Sequence, residues 1–390
     1  MKMEHLVFIS SNYPSKSRPY YGTFVRQLVI GIARLGVKCS VISPVSIFQR
    51  RYGKFDPEKS LDFAIQENPI TILRPRYISF SSKKIFFYNT EHLTQKSFLR
   101  SVHHSLRYLD DTPTILYGHF LYPGGAAAVH LAYKLGIPSI VAVGESSFWS
   151  VEPLGYRKAI HDFRHVSGVI SVSKLIKESL VNKLMIPEDY IQVFPNGVDL
   201  SLFYPRDRYE MRKKFGFPSA KTIISFVGHF DERKGPHRLL SAVSGLDEIC
   251  LVLIGDGAVP LEGKNIVFKG TLEHSKIPEM LSASDFFALP TTSEGSCNAI
   301  LEAIACGLPV ITSKGDFNDD IVDDDVAIRI NPLDIDEIRA AIIKLYNDQN
   351  LRNKMSSCAM EKIKRFDIES RSRNILKWMK EIKHKHTNQK

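Results

Sequence analysis

Short, almost unbroken apolar runs that alternate with helical patterns constrain this chain more than any other feature. In the first half such runs fall at 6–10, 38–43, 70–73, 114–117, 139–143, 168–172 and 191–194. Between them Val25, Leu28, Val29, Ile32 and Leu35 repeat with the i, i+3, i+4, i+7 spacing of one buried helix face. Strands apolar on both faces imply a parallel sheet covered by helices on both sides. Residues 195–221 interrupt the pattern with three prolines, two glycines and a charge cluster, which suits a connection between domains. A second series follows at 223–227, 250–254, 266–268, 286–289, 310–312 and 327–330, and 334–383 reads as almost wholly helical, with Trp378 and Ile382 as packing anchors. The expected fold class is α/β, with two doubly wound domains facing a central cleft. Ligands of such sheets bind outside the carboxyl ends of the strands.

Length agrees, since 390 residues exceed one ordinary core. The start, "MKMEHLVFISSNYP", reads as a first strand and not a signal peptide, and no run approaches ~18 uninterrupted apolar residues, so a soluble or peripheral protein is expected. Five cysteines, with no C-x-x-C, read as reduced thiols of a cytoplasmic protein. The net charge of +10 is uneven: residues 1–200 hold 24 Lys+Arg against 15 Asp+Glu, and the remainder 28 against 27. Much of the excess lies between Arg50 and Arg107, interleaved with Tyr52, Phe55, Tyr77, Phe80, Phe86, Phe87 and Tyr88. That pattern suits an anionic membrane surface, a plain solvated surface over aromatic core residues or, least well, nucleic acid.

The stretch "SEGSCNAILEAIACGLPVITS" at 293–313 parses as loop, helix, stop and strand, with the helix starting near Ser296 or Cys297. Glu294 precedes the helix and Glu302 lies within it. Eight residues would separate their alpha carbons by ~12 Å if wholly helical and turn the side chains ~80° apart. A glycosidase pair holds its carboxyls ~5–9.5 Å apart, so two hydroxyl acceptors gripping different parts of one long ligand fit better, beside the plainer reading of a solvated helix with incidental acids. Helix-end amides at Gly295, Ser296, Cys297 and Asn298 suit an anion between them.

In "FVGHFDERKGPHRLL" a strand turns at Gly228 and a helix opens after Gly235, so Arg233 and Lys234 stand at a strand's carboxyl end. Two cations there would hold a diphosphate without a metal, or form a plain surface basic pair. No Walker pattern occurs, and "IGDGAVPLEG" has Gly255 and Gly257 without the third glycine of a dinucleotide fingerprint. In "ILYGHFLYPGG" His119 follows a buried strand, as a site residue or a structural one. Gly22 and Thr23 in "PYYGTFVRQ" open the first helix, whose bare amides could meet an anion. Nothing shows metal-ligand spacing or a Ser/His/Asp order.

With these residues the chain resembles the retaining glycosyltransferases of family 4 (glycosyl transferases group 1), over nearly its whole length. The resemblance rests on Glu294-x7-Glu302 followed by "EAIACGLPV", on "FPNGVD" at 194–199, on the loop from Gly228 to Lys234 and Gly235, and on "YGTFVRQ". It implies the GT-B fold of two Rossmann-like domains: an acceptor domain over 1–197, a nucleotide-sugar domain over 198–367, and a last helix, about 368–385, packing back on the first. It implies that Glu302 accepts from ribose hydroxyls, that Glu294 faces the donor sugar, that Gly295–Asn298 amides meet sugar and phosphate, and that Lys234, helped by Arg233, neutralises the diphosphate. His119 matches a histidine near the transferred sugar and acceptor, and 268–270, ending at Gly270, resembles the segment reading the base. The sequence departs from the family at His229, where Arg is usual, so one phosphate cation is missing or replaced by Arg233. It departs again at "AVGESSFW", where a His-Gly often precedes Ser/Thr-Asp, which leaves Glu145 and Ser146 open, contact with the acceptor included.

The implied activity is metal-independent hexosyl transfer with retention, from a UDP-sugar or GDP-sugar and with no cofactor, to a hydroxyl of a glycan or lipid-linked glycan in cell-surface polysaccharide assembly at the cytoplasmic face of a membrane. A nucleic-acid partner is not expected. The competing classes are a GT-B nucleotide-sugar epimerase, which would change the donor without an acceptor, a phosphorylase, whose cofactor-lysine context is not recognised here, and a non-catalytic nucleotide-binding protein, which would release no diphosphate.

Overall fold

The computed structural model describes residues 4–18, 21–48, 58–63, 68–85, 88–145 and 147–388. The chain forms two compact units, Met1–Phe194 with Glu369–Lys390, and Pro195–Ile368. The joints fall at Phe194 and Ile368, where the family resemblance implies 197 and 367. The reason is local: the Val198 N–H donates to Phe366 O at 2.8 Å and Val198 O accepts from the Ile368 N–H at 3.0 Å, which ties both crossing strands into the second unit.

Unit 1 carries an eight-stranded sheet of β1 (His5–Ile9), β2 (Lys38–Ile42), β3 (Lys59–Phe63), β4 (Pro69–Leu73), β5 (Ile115–His119), β6 (Ser139–Val143), β7 (Gly168–Ser171) and β8 (Ile191–Val193), in the order 8-7-6-5-1-2-4-3. All neighbours are parallel except β3 with β4. Its helices are α1 (Thr23–Arg34), α2 (Glu91–Ser105), α3 (Ala126–Leu135), α4 (Tyr156–Phe163) and α5 (Lys174–Leu184). Unit 2 carries α6 (Arg208–Phe215), α7 (Pro236–Ala242), α8 (Ile277–Ser282), α9 (Asn298–Ala305), α10 (Ile335–Asn347) and α11 (Gln349–Lys362) around six parallel strands. These are β9 (Thr222–Val227), β10 (Ile249–Ile254), β11 (Ile266–Gly270), β12 (Phe286–Leu289), β13 (Val310–Ser313) and β14 (Ala327–Ile330), in the order 11-10-9-12-13-14. Both units are Rossmann-like, and strand order reverses between β1 and β5 in unit 1 and between β9 and β12 in unit 2. Connections leave such a point in opposite directions and open a crevice at the carboxyl ends.

The unbroken apolar strands have two buried faces. Leu6 and Phe8 pack with Val25, Leu28 and Ile32 of α1, while Val7 and Ile9 pack with Phe98 of α2 and Leu131 of α3. From Glu369 onward the last helix, α12 (Ile368–Asn388), joins the first of these layers through Ile375, Leu376, Met379 and Ile382. Trp378 lies against Gly168, where an added Cβ would come within 2.7 Å of the indole. The edge strand β3 lacks an apolar run: it reads KSLDF, Leu61 is exposed, and its anchor is polar. Asp62 takes Arg26 Nε at 2.6 Å and the Tyr13 hydroxyl at 3.0 Å, binding the edge to α1. In unit 2 a buried ion pair works at the amino ends of the strands. Asp285 accepts from Arg212 Nη2 at 2.6 Å and from the Ile223 N–H at 2.7 Å, securing α6 away from the carboxyl-end crevice.

Met379 has no exposed surface. Met379→Ala is therefore expected to cost unit 1 about 2–5 kcal/mol in urea denaturation, and a loss under about 0.5 kcal/mol would show that α12 is not part of its core.

Candidate active site

The loop after β9 begins at Gly228 and ends at Gly235, whose φ of +70° turns the chain into α7. Asp231 Oδ1 accepts from the Lys234 N–H at 2.7 Å and aims Arg233 and Lys234 toward β12. The facing loop starts at Pro290. There Glu294 Oε1 receives Lys234 Nζ at 2.5 Å, Arg233 Nη1 at 2.9 Å and the Thr291 hydroxyl at 3.0 Å. Lys234 and Glu294 are nearly buried, with side-chain exposures of 13% and 11%, whereas Arg233 keeps 40%. Burial alone would lower the Lys234 ammonium, but the Cys297 sulfur and the Glu294 carboxylate outweigh it and raise the group above its ordinary value.

The two loops are joined beneath this cluster by Arg238 of α7. Its guanidinium donates to Glu232 O at 2.8 Å and to Pro290 O at 2.8 Å, linking the backbones on both sides of the switch point. The glycines of "IGDG" serve a third loop: an added Cβ at Gly255 would lie 1.9 Å from Gly228 O, and at Gly257 2.3 Å from Phe230 O. Close backbone approach explains them without a dinucleotide. His229 is exposed beside Asp256, with Nδ1 to Oδ1 at 3.2 Å.

The second loop feeds α9, whose N-cap is Cys297 and whose first helical residue is Asn298. No side-chain cap hydrogen bond closes this end, where the buried Cys297 sulfur lies against the Ala299 and Ile300 amides. Asn196, from the "FPNGVD" segment, donates to Asn298 Oδ1 at 2.8 Å, and its backbone N–H donates to Ser296 Oγ at 3.4 Å. This holds the Gly295–Asn298 turn. Cys297 is buried, which pushes its thiol up to about 11. Glu302, farther along α9, pairs with His274 Nε2 at 2.9 Å. Burial opposes the His274 imidazolium, but the hydrogen bond and charge of Glu302 prevail and raise it. Gly270 closes β11, and its carbonyl accepts from the Gly255 N–H at 2.9 Å.

In unit 1, Gly22 has φ +77°, and a Cβ there would meet Asn12 O at 2.3 Å, so only glycine fits before Thr23 opens α1 without a side-chain cap. His119 ends β5 at the other switch point, its ring 5.1 Å from that of Phe24 in the first turn of α1. The residue is half-buried, yet Nδ1 is sealed from solvent without a partner among the described residues. Burial, with the Arg371 charge adding, holds this imidazole far below the histidine range, so it is neutral at pH 7. Glu145 is buried and accepts from Ser150 Oγ at 2.8 Å and the Leu121 N–H at 3.3 Å, bracing the turn after His119, and burial raises its carboxyl to about 7. Ser146 lies outside the described residues, as do Arg50, Tyr52, Phe55, Phe86 and Phe87 of the basic, aromatic stretch.

The structure thus brings Arg233, Lys234 and Glu294 into one cluster, sets the 295–298 turn beside it, and pairs Glu302 separately with His274. Gly22, Thr23 and His119 form their own group in unit 1. Arg238, Asn196 and His274 escape sequence reasoning because hydrogen bonds across the fold place them, and Asp231 and Thr291 because their bonds, though only three residues away, lie in loops without a spacing signal. Arg233 and Lys234 are balanced by Glu294 and by Asp231, whose Oδ2 lies 3.9 Å from Arg233 Nη2, so an anion that displaces Glu294 would meet both cations beside the 295–298 turn.

Residues 21–202 match the family described as Glycosyltransferase Family 4, and 207–362 match Glycosyl transferases group 1. A Bacillus subtilis protein, named a candidate teichuronic acid biosynthesis glycosyltransferase, is 26% identical over 78% of this chain and 80% of its own length. An Escherichia coli UDP-Gal:alpha-D-GlcNAc-diphosphoundecaprenol alpha-1,3-galactosyltransferase is 27% identical over 63% of this chain and 69% of its own. HepE of Anabaena, solved with UDP and glucose, superposes with a TM-score of 0.72 at 17% identity, covering 97% of this chain and 100% of that one.

Because His274 is raised by Glu302, their pairing stabilises the fold fully below the unfolded histidine value of ~6.5 and is lost as pH rises through the higher folded value. The thermal midpoint gap between wild type and Glu302→Gln should therefore be wide near pH 6 and shrink at high pH. A gap independent of pH would exclude an ionic pair.

Proposed function

From the premise that this chain belongs to glycosyltransferase family 4, and is a glycosyltransferase using nucleotide-sugar donors, we propose that it moves a hexose-type unit from a UDP-sugar or GDP-sugar, without a metal ion and with retention, to a hydroxyl of a glycan or lipid-linked glycan. The observation that carries the reading is the Arg233–Lys234–Glu294 cluster at the carboxyl ends of β9 and β12. A diphosphate entering there meets both cations and the 295–298 amides. Glu294 then gives up part of its hold on the cations and turns to hydroxyls of the donor sugar. Glu302, at the far end of the same ligand, accepts from the ribose.

In the transfer the bond between the anomeric carbon and the diphosphate oxygen breaks, and its electron pair leaves with the diphosphate. The acceptor oxygen bonds to the same face of that carbon and passes its proton to a diphosphate oxygen. Negative charge grows on the leaving group, so fixed donors aimed there contribute most. His119, neutral and held against Phe24, serves as a hydrogen-bonding group beside sugar and acceptor, not as a cation.

The acceptor class draws support from the names of the two relatives, one teichuronic acid and the other a diphosphoundecaprenol-linked sugar. Attachment to the cytoplasmic face of a membrane belongs to the same proposal. Among the described residues no helix is long and apolar enough to cross a bilayer, while Phe48, Ile78 and Phe80 are exposed in the segment that also carries Lys59, Lys83 and Lys84. Flotation with anionic vesicles at low salt should carry the protein upward, and no binding would contradict the attachment.

Lys234→Ala should lower turnover by about 10²- to 10³-fold. A rate within twofold of wild type would remove Lys234 from the mechanism. Proton NMR of the first product should show the anomeric configuration of the donor, and the opposite configuration would overturn retention.

A further inference from the structure

A groove of about 640 Å3 runs between α2, α3 and α4 of unit 1. It belongs to the opposite side of the unit 1 sheet from the His119 ring. The helix α1, against which His119 lies, packs on the face of Leu6, Phe8 and Tyr117, whereas α2 and α3 pack on the face of Val7, Ile9 and Leu116. The groove is therefore not an extension of the site near His119.

Its walls are cationic. Lys96 comes from α2, Lys134 from α3, and Lys158 and Arg164 from α4 and its end, with His130 and His161 between them. The single acid in the lining, Asp162, is already engaged: its Oδ2 accepts from Lys158 Nζ at 2.6 Å and from the Tyr122 hydroxyl at 2.7 Å. Among the described residues no carboxylate pairs with Lys96, Lys134 or Arg164. Gathering these charges in one trough raises the local potential and favours a polyanion.

The trough also offers a flat apolar face. Tyr133 is 64% exposed, and its ring is stacked on that of His165 with centroids 4.1 Å apart and planes 14° from parallel. Arg164 donates to His165 Nε2 and to His161 O, each at 2.9 Å, and carries no carboxylate partner among the described residues. An exposed aromatic held flat beside cations without a carboxylate partner suits a pyranose ring stacked through its C–H face, with its charged substituent turned to the rim. Along α3, His130 and Lys134 stand one turn apart, about 6 Å, so a hydrogen-bonding ring and a charge follow one another along the groove.

We propose that this groove binds an acidic oligosaccharide, with a sugar ring on Tyr133 and carboxylates on Lys96, Lys134 and Arg164. The inference rests on the reading of the acceptor as a glycan. It adds that the growing chain is acidic and is held at a second point, which raises its effective concentration at the acceptor end. A bilayer presents a plane, whereas three helices here wall a concave channel, so a chain matches the shape better.

The test is calorimetry at low salt on the full chain, with a short oligogalacturonate, a neutral maltooligosaccharide of equal length and phosphatidylglycerol vesicles. The oligogalacturonate should bind and the neutral sugar should not. A Lys134→Gln/Arg164→Gln double variant should bind at least about tenfold more weakly, and Tyr133→Ala should also lose affinity. Each variant should keep its thermal midpoint and its stabilisation by UDP or GDP, which shows that folding and the donor site are intact. Undiminished binding by the double variant, no binding of oligogalacturonate to wild type, or binding to vesicles alone would overturn the proposal. A normal response to nucleotide with no response to oligogalacturonate would defeat the groove alone, and the reverse result would defeat the donor reading while leaving the groove.

Discussion

The Arg238 guanidinium determines where the chemistry of unit 2 can stand. One side chain from α7 binds the carbonyl of Glu232 in the loop after β9 and that of Pro290 in the loop after β12, the two loops that diverge at the switch point. A parallel sheet supplies the crevice but does not fix its lips. With the lips clamped, Lys234 and Arg233 reach Glu294 across the gap, and the 295–298 turn follows at a set distance. Glycines at 255 and 257 let the third loop press on the first. The site is thus built on backbone carbonyls held by a buried charge, with reactive side chains added on top.

The ion pairs at the site act as placeholders. Buried cations need a counter-charge, and in the free protein Glu294 provides it for Lys234. A diphosphate carries more charge and more oxygens than one carboxylate, so it can take over both cations while Glu294 turns to hydroxyls. His274 plays the same part for Glu302. In the proposed complex each glutamate would exchange the partner it has in the folded chain for hydroxyls of the donor, so that the pocket holds charged groups without leaving them bare.

Much of this was legible in the residues. The strands at 139–143 and 286–289 were visible because both of their faces are buried, so apolar residues run almost without a break. The entry to α9 was visible because a Ser/Gly loop, an apolar helix, Gly307 and Pro309 follow one another locally. β3 was not visible: it is an antiparallel edge, half polar, held by Asp62 to Arg26 rather than by burial. Nor could spacing reveal that Arg238 or His274 matters, since each acts on a partner 28 or more residues away. Gly255 and Gly257 looked like a broken nucleotide fingerprint and proved to be contact points between loops, a distinction that only the third dimension supplies.

The central claim is that the switch point of unit 2 holds a nucleoside diphosphate between the Lys234 cluster and Glu302. A metal-free thermal-shift panel of UDP, GDP, ADP, dTDP and NAD, with Glu302→Ala alongside wild type, tests it most directly. At 100 times its dissociation constant a ligand stabilises its protein by ~2.7 kcal/mol, a readily measured shift. The account predicts a shift with UDP or GDP that is reduced in the variant. Silence across the nucleoside diphosphates, or a response to NAD alone, would contradict it.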